Sequence, residues 1–200
     1  MPLHAVLLNC TLKPSPAESS CDLLLSHLAG ELERNDVVCE HVRVVDHDVR
    51  PGVSSDEGDG DEWPALRSKI LDAQIVVMGT PIWLGHPSSV CQRVLERLDA
   101  LLGETDEQGR MIAYDRIAIV AVVGNEDGAH HVVAEVYQGL ADVGFTIPAS
   151  GATYWVGEAM GSIDYKDHPT PPSKTAAATA TAARQAAHLA RLLQSSRYPA

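Results

Sequence analysis

Three strands of almost continuous apolar residues constrain the fold of this chain more than any other feature. They are predicted at residues 5–9, 75–78 and 117–123. A strand that lies at a surface alternates apolar and polar side chains, whereas these runs are apolar at successive positions. They therefore indicate a parallel sheet that is covered by helices on both faces.

Two further strands and five helices complete the pattern. Residues 37–45 form a second strand, and a weaker fifth strand lies within 145–155. Apolar residues repeat at helical spacing between the strands. The predicted helices cover 21–32, 64–72, 90–101, 133–143 and the alanine-rich segment 173–194.

This alternation of strands and helices predicts one α/β domain over residues 1–200. The expected architecture is a three-layer, doubly wound sandwich around a five-stranded parallel sheet of order 2-1-3-4-5. In that order the chain reverses direction between strands one and three, so the loops that leave their carboxyl ends open a crevice. The loops after the first, third and fourth strands are therefore the places to look for a ligand.

Charge and composition exclude several classes of partner. The chain has 15 Lys and Arg against 27 Asp and Glu, a formal net charge of −12, which argues against nucleic acid as a partner. The longest apolar run, 117–123, is too short to span a membrane, and the amino terminus has no signal-peptide pattern. The four cysteines lack metal-binding spacing. We expect a cytoplasmic protein without a membrane partner.

The loop after the first strand has the composition of a phosphate site. It offers hydroxyl groups and one cation just before a helix begins: Thr11, Lys13, Ser15, Ser19 and Ser20. Hydroxyls and free N–H groups at a helix start suit a phosphate dianion. The loop has no glycine and is not a GxxxxGK[ST] loop, so a nucleoside triphosphate is not expected. The alternative is a helix-capping serine after an ordinary polar turn.

The loop after the third strand, 79–87, has the composition of a surface for a flat ligand. Gly79 and Gly85 allow the backbone to approach closely, and Pro81 stiffens the turn. Trp83 is costly to expose unless something covers it. The alternatives are a tryptophan that is buried in the core of the chain itself or in a subunit contact.

The loop after the fourth strand, 124–131, places polar residues between two glycines at another helix start. Backbone donors there can meet negative charge on a ligand, although Asn125 and Asp127 could also be plain helix caps. His130 and His131 resemble metal ligands, but neighbouring helical residues point about 100° apart and do not readily share one ion. We expect no metal site there.

Two long segments lie outside the alternation. Residues 53–62 are rich in Gly, Ser, Asp and Glu, which predicts a solvated, mobile loop. Residues 157–172 form a long connection before the last helix, and long loops in compact domains are often functional. This second segment is a candidate lid or subunit contact.

Taken together, the three loops resemble the flavodoxin-like NAD(P)H-dependent FMN reductase family. The resemblance rests on the Thr/Lys/Ser pattern of the first loop, GTPIWLG at 79–85 and GNEDGAHH at 124–131, and it covers about residues 5–155. It implies FMN as the cofactor, with the 5′-phosphate held by Thr11, Lys13, Ser15, Ser19 and Ser20. The ribityl chain and one ring edge would contact Pro81, Ile82, Trp83, Leu84 and Gly85. The pyrimidine side would contact Gly124, Asn125, Glu126, Asp127 and Gly128.

The same resemblance implies an activity and an assembly. The chain would be an FMN-dependent oxidoreductase that takes hydride from NAD(P)H and passes electrons to a quinone, a free flavin or a similar acceptor. The flavin carries the chemistry, so no catalytic side chain is assigned. Members of such families are often dimers, so a homo-oligomer, either a dimer or a tetramer, is expected.

Two other functions stay open at this stage. A flavodoxin-type carrier would bind FMN without nicotinamide activity, although the T-x-T-G-x-T loop of such carriers is missing. A partner-binding module would bind no cofactor. Within that second class a response regulator is disfavoured, because Met78-Gly79 and Asn9-Cys10 stand where its acidic residues are needed.

Overall fold

Within residues 2–200, which the computed structural model describes, five parallel strands form one sheet. They are β1 (Leu3–Asn9), β2 (Val37–Arg43), β3 (Ile75–Trp83), β5 (Ile117–Gly124) and β6 (Ala152–Val156); β4 (His86–Pro87) pairs antiparallel with the end of β3. The order is β2-β1-β3-β5-β6. Counted over the parallel strands alone, this is 2-1-3-4-5, so the predicted flavodoxin-like α/β fold is confirmed.

Five helices cover the two faces of the sheet. They are α1 (Ser20–Glu33), α2 (Trp63–Asp72), α3 (Ser89–Leu98), α4 (Ala129–Asp142) and α5 (Ser173–Ser195). One core lies beneath α2, α3 and α4, and the other beneath α1 and α5. Along β5, Val120 and Val122 enter the first core, while Ile119 and Ala121 enter the second. A strand with both faces buried explains the continuous apolar run.

The third strand is longer than predicted. It was expected to end at Met78, but β3 continues to Trp83 because Thr80 and Pro81 pair with Val122 and Val123 of β5. On its other side, β1 stops at Asn9 opposite Gly79. Beyond that point β3 resembles an edge strand, where a proline without an N–H is tolerated. The predicted second loop is therefore the end of a strand followed by a tight turn.

Other boundaries also differ from the sequence expectation, and α3, for example, ends at Leu98 and not at residue 101. β2 ends at Arg43 rather than at residue 45, and a short 3₁₀ turn follows it (Val44–Asp46). α4 begins at Ala129, so His130 and His131 lie in the first helical turn and not in the loop. Their positions on a helix matter below, because residues four apart then share a face.

The prediction that residues 53–62 form a solvated loop is wrong at one position. The Asp61 side chain is fully buried against Arg97 of α3, with an Nη2–Oδ2 distance of 2.7 Å. Arg97 also donates to the backbone carbonyls of Arg50 and Ser54. A buried charge requires a partner, so this ion pair ties the segment to the helix.

None of the helices in residues 2–200 has the length and apolar content that a transmembrane helix needs.

Candidate functional site

The loops after β1, β3 and β5 meet at the carboxyl edge of the sheet. The Ser88 hydroxyl, at the start of α3, donates to the Cys10 carbonyl at 2.6 Å, and the Cys10 N–H donates to the Gly79 carbonyl at 2.8 Å. These bonds join the first loop to the end of β3. All three loops follow neighbouring parallel strands, so the sheet order alone brings them to one edge.

A single carboxylate fastens the second loop to the third. The N–H groups of Leu84 and Gly85 donate to Oε1 and Oε2 of Glu126, at 3.1 and 3.2 Å. Leu84 and Gly85 form the turn between β3 and β4 with φ angles of 51° and 79°, both in the left-handed region that two-residue hairpins of the I′ type require. A Cβ atom on Gly128 would lie 2.8 Å from the Gly85 Cα, so the two backbones are in contact there.

In the first loop, three hydroxyl groups remain able to donate. The oxygens of Thr11, Ser19 and Ser20 accept hydrogen bonds from the backbone N–H groups of Lys13, Asp22 and Lys166 respectively. A hydroxyl that accepts in this way still has its own O–H to offer. The N–H groups of Ser20 and Cys21 add to this set, because the first turn of α1 gives them no intrahelical acceptor.

Ser15 is oriented differently from the other loop hydroxyls. Both its N–H and its hydroxyl donate to the carboxylate of Asp46, in the turn after β2. These bonds hold the pKa of Asp46 below its usual range. Because an acidic side chain already takes both donors, Ser15 is not grouped with Thr11, Ser19 and Ser20 as an anion donor.

Two cations accompany the first loop, and sequence reasoning identified one of them. Lys13 is exposed, with its Nζ 3.5 Å from the Glu18 carbonyl. Arg43, which was not predicted, lies at the end of β2, donates to the Ala17 carbonyl at 2.8 Å and pairs with Asp22 at 3.2 Å. Its position follows from the sheet order, because β2 is the neighbour of β1. Because Asp22 compensates the charge of Arg43, Lys13 is the less engaged of the two cations.

The second loop presents two apolar side chains to the exterior. Trp83 is 53% exposed and Leu84 is 90% exposed. Trp83 is therefore not in the core of the chain, which removes one of the two alternatives for this residue. Ile82, by contrast, is buried in the core, so only its backbone can face a ligand. Pro81 and Gly85 are half-buried between them.

The third loop combines exposed and enclosed polar groups. Gly124, Glu126 and Gly128 are half-buried, and Asp127 is exposed with its Oδ1 accepting from the Gly128 N–H at 2.7 Å. The Asn125 amide nitrogen donates to Asp164 at 2.8 Å, whereas its Oδ1 is buried and has no hydrogen-bond partner among residues 2–200.

A segment that we call the strap, residues 157–167, crosses this edge of the sheet. At one end the N–H of Gly157 donates to the Gly124 carbonyl at 2.9 Å, and the N–H of Met160 donates to the Asn125 carbonyl at 3.2 Å. At the other end the N–H of Lys166 donates to the Ser20 hydroxyl at 3.3 Å. The strap therefore contacts both the third loop and the start of α1.

The cysteines near the edge are core thiols. Cys10 and Cys21 are buried, and burial raises the pKa of both thiols well above the usual range. The Cys10 Sγ lies 3.6 Å from the Met78 Sδ. Thiols that are protonated and enclosed in this way are poor nucleophiles.

Comparison with known proteins identifies the same family that the three loops resemble. Residues 5–161 match the family described as NADPH-dependent FMN reductase. A crystal structure of RosB with the bound intermediate 8-demethyl-8-formylriboflavin-5′-phosphate superposes with a TM-score of 0.89 and 32% identity, over 98% of this chain and 82% of that one.

Two curated relatives are longer than this chain. The 8-demethyl-8-aminoriboflavin-5′-phosphate synthase of Streptomyces davaonensis is 37% identical over 171 residues, which are 80% of this chain and 65% of that protein. The divalent metal cation transporter MntH of Mycobacterium bovis is 40% identical over 169 residues, which are 82% of this chain. The chain spans only 25% of the length of that transporter. The match over residues 5–161, on a sheet of this order, shows that the chain belongs to the NADPH-dependent FMN reductase family.

Proposed function

We propose that the chain is an FMN-dependent oxidoreductase that takes hydride from NADH or NADPH and passes electrons to a quinone, a free flavin or a similar small acceptor. The observation that carries the proposal is the meeting of three loops at one sheet edge, with hydroxyl and N–H donors at one side and exposed apolar side chains at the other. Membership of the FMN reductase family supports it.

The phosphate end of FMN fits the first loop. Thr11, Ser19 and Ser20 offer O–H donors, the first turn of α1 offers N–H donors, and Lys13 offers positive charge. These are the groups that a phosphate dianion requires. We leave Ser15 out of this set, because Asp46 occupies its donors.

The ring end of FMN fits the second and third loops. Trp83 and Leu84 would cover apolar ring surface, and Gly85 and Gly128, whose backbones are in contact, carry no side chain that could obstruct it. The amino-terminal end of α4 carries partial positive charge, which favours negative charge on the pyrimidine edge. Glu126 holds the Trp83 hairpin in place with both of its oxygens. The bound FMN would supply the chemistry of hydride and electron transfer, with NADH or NADPH as the source of the hydride. We therefore assign no catalytic side chain.

We also propose that the chain forms a homo-oligomer. Apolar side chains remain exposed along the same edge, on the hairpin and on the strap: Leu84 is 90%, Met160 97% and Ile163 59% exposed. The hairpin and the strap both hydrogen-bond to residues 125–126, and exposed apolar groups on adjoining segments are typical of interaction surfaces.

The first experiment measures FMN binding and reduction together. The chain, titrated with FMN, is expected to shift the visible flavin spectrum, and NADPH or NADH added without oxygen is expected to bleach it. Binding of FMN without reduction by either nucleotide would instead favour the flavodoxin-type carrier. A chain that cannot be loaded with FMN at all would contradict both functions.

A variant pair tests the phosphate end. Ser20→Ala removes one proposed donor to the phosphate and is expected to weaken FMN binding by roughly tenfold, the value of about one charge-assisted hydrogen bond. Ser26→Ala is the control, since Ser26 lies on an exposed part of α1 and bonds only within its helix. Affinity for riboflavin, which lacks the phosphate, should change little in either variant. Equal losses for FMN and riboflavin would contradict a contact with the phosphate and would show that Ser20 acts through its hydrogen bond with Lys166 of the strap.

A second candidate function takes a flavin phosphate as substrate instead of cofactor. It is favoured by the likeness to RosB, whose structure holds an 8-formyl flavin phosphate, and by the name of the Streptomyces davaonensis synthase. Replacement of the 8-methyl group of FMN by an amino group requires an oxidant and an amine donor. Mass spectrometry after incubation of the chain with FMN, dioxygen and an amine separates the functions. Unchanged FMN is expected for the reductase, and a flavin of altered mass for the second function.

A further inference from the structure

A cluster of two histidines and one glutamate lies beside the Trp83 hairpin, and none of its three members is among the residues assigned above to FMN. His86 is in β4, and His131 and Glu135 are on α4. Glu135 Oε2 lies 3.2 Å from His86 Nδ1 and 3.5 Å from His131 Nε2. The two imidazole rings are 5.0 Å apart between centroids and inclined at 76°. One ligand atom from each side chain can thus face a common point.

We propose that His86, His131 and Glu135 form a binding site for a divalent transition metal of the zinc class. Zn²⁺ takes imidazole nitrogen and carboxylate oxygen ligands at about 2.0–2.2 Å in a tetrahedron, so its ligand atoms lie about 3.3–3.6 Å from each other. The separations of 3.2 and 3.5 Å from Glu135 Oε2 to the two histidine nitrogens are close to this edge length. All three ligand atoms lie within 4.8 Å of one another, so a small rotation of one ring closes the triangle.

The backbone holds these ligands in position. His131 and Glu135 are four residues apart on α4, so their side chains share one face of the helix. His86 pairs with Trp83 across the β3–β4 hairpin, and Glu126 fastens the turn of that hairpin to the third loop. The site therefore draws on two elements that are already packed together, which reduces the entropy lost when a metal binds.

The neighbouring histidine belongs to a different contact. The Nε2 of His130 lies 3.0 Å from the Tyr154 hydroxyl, and the two rings meet edge to face. His130 is therefore not a member of the cluster, and the site proposed at His131 departs from our sequence-based expectation of no metal there. His131 instead finds its partner 45 residues earlier in the chain, at a position that the sequence did not connect with it.

The cluster is accessible from solvent. The side chains of His86, His131 and Glu135 are 61%, 56% and 37% exposed, so a metal can enter without unfolding of the chain. Three protein ligands leave a fourth position open for water or another small ligand. Nitrogen and oxygen ligands of this kind select Zn²⁺, Ni²⁺ or Cu²⁺ over Mg²⁺ and Ca²⁺, which prefer all-oxygen sites. A bound metal would connect the Trp83 hairpin to α4.

Titration calorimetry of the full chain without flavin tests the proposal. Zn²⁺ is expected to bind with a stoichiometry of one, and Mg²⁺ under the same conditions is expected not to bind. We expect each of three variants to weaken Zn²⁺ binding by at least about tenfold: His86→Ala, His131→Ala and Glu135→Gln. Loss of a residue that only hydrogen-bonds to a metal ligand already costs about that much. His188→Ala, an exposed histidine on α5, is the matched control and should bind Zn²⁺ as the parent chain does.

Cobalt spectroscopy identifies the ligands independently of affinity. Co²⁺ in the proposed site should give visible absorption bands without the near-ultraviolet band of a thiolate ligand, which separates it from binding by a cysteine. Circular dichroism verifies that each variant is folded. Zn²⁺ binding that is equally strong in all variants, or a Co²⁺ spectrum with thiolate character, would overturn the proposal. So would the absence of Zn²⁺ binding to the parent chain.

Discussion

At the scale of single residues, Leu84 is the most unusual position at the sheet edge. Its φ of 51° lies in the left-handed region, which asparagine and glycine tolerate better than a branched side chain. Its side chain is almost fully exposed, so packing does not compensate for this backbone strain. Strained residues persist where the surrounding structure fixes them, and here Glu126 does so. A leucine at this position is consistent with a role in covering a ligand.

The variant Leu84→Asn measures the strain. It is expected to raise the free energy of unfolding by about 1 kcal/mol, because asparagine adopts this conformation more readily and the N–H bond to Glu126 is kept. Urea unfolding of the flavin-free chain is the measurement. The control Leu12→Asn changes an exposed leucine whose φ is not positive, and it should leave stability unchanged. A loss of stability in Leu84→Asn would show that the side chain contributes packing after all.

At the scale of elements, α3 shows where a sequence pattern is informative and where it stops. Val94 and Leu98 follow the helical spacing of its buried face, and Arg97 is buried on the same helix. A cation at such a position indicates a buried acidic partner. The partner could not be chosen from sequence, because residues 53–62 contain several acidic side chains and only the folded path of that segment buries Asp61. The extension of β3 through Pro81 was missed for a similar reason, since it depends on where β1 ends.

The buried pair makes a strong prediction for stability. Asp61→Ala leaves Arg97 charged, enclosed and without its carboxylate, so we expect it to lower the free energy of unfolding by about 3–5 kcal/mol. Asp59→Ala is the control, because Asp59 is exposed two residues away in the same segment, and it should change stability by less than about 0.5 kcal/mol. Thermal and urea unfolding give the values. Similar stability for the two variants would mean that Arg97 is adequately solvated without Asp61.

The same pair predicts a dependence on pH. Burial alone would raise the pKa of Asp61, but the hydrogen bonds from Arg97 and from the N–H groups of Glu57, Trp63 and Arg50 outweigh it and hold the pKa well below its usual range. A carboxyl whose folded pKa is lowered stabilises the fold above its unfolded pKa, about 4, and that contribution is lost as the pH falls. We therefore expect stability to decrease below about pH 5, and to decrease less steeply in Asp61→Asn. Parallel acid titrations of the two chains would contradict this assignment.

At the scale of the whole molecule, the sheet order determines most of the candidate site. Once five strands in the order 2-1-3-4-5 are recognised, the loops after β1, β3 and β5 must share one edge, and this much followed from sequence. The sequence did not show which hydroxyl groups of the first loop remain free to donate. Ser15 and Ser20 look alike in sequence, yet Asp46 of a neighbouring turn engages one and the strap engages the other. Likewise, the sequence did not connect His86 with His131, because only the packing of the β3–β4 hairpin against α4 brings them together.

The exposed apolar residues of this edge predict self-association. We expect a homo-oligomer in light scattering after size exclusion, and Met160→Asp combined with Ile163→Asp should shift it toward the monomer, because charge opposes the burial of that surface. Leu192→Asp, on an exposed part of α5, is the matched control and should leave the oligomer intact. A monomeric parent chain at high concentration would rule out this interface.

The strap contacts both ends of the crevice. Its residue Asp164 accepts a hydrogen bond from Asn125, and the N–H of its residue Lys166 donates to Ser20. If FMN binds as we propose, a phosphate at Ser20 is expected to restrict the strap and, through it, the residues around the ring. Riboflavin, which leaves that end empty, should then experience a looser ring environment than FMN, with greater residual fluorescence when bound. In this protein the phosphate would then contribute to binding and would also help to order the residues around the reactive ring.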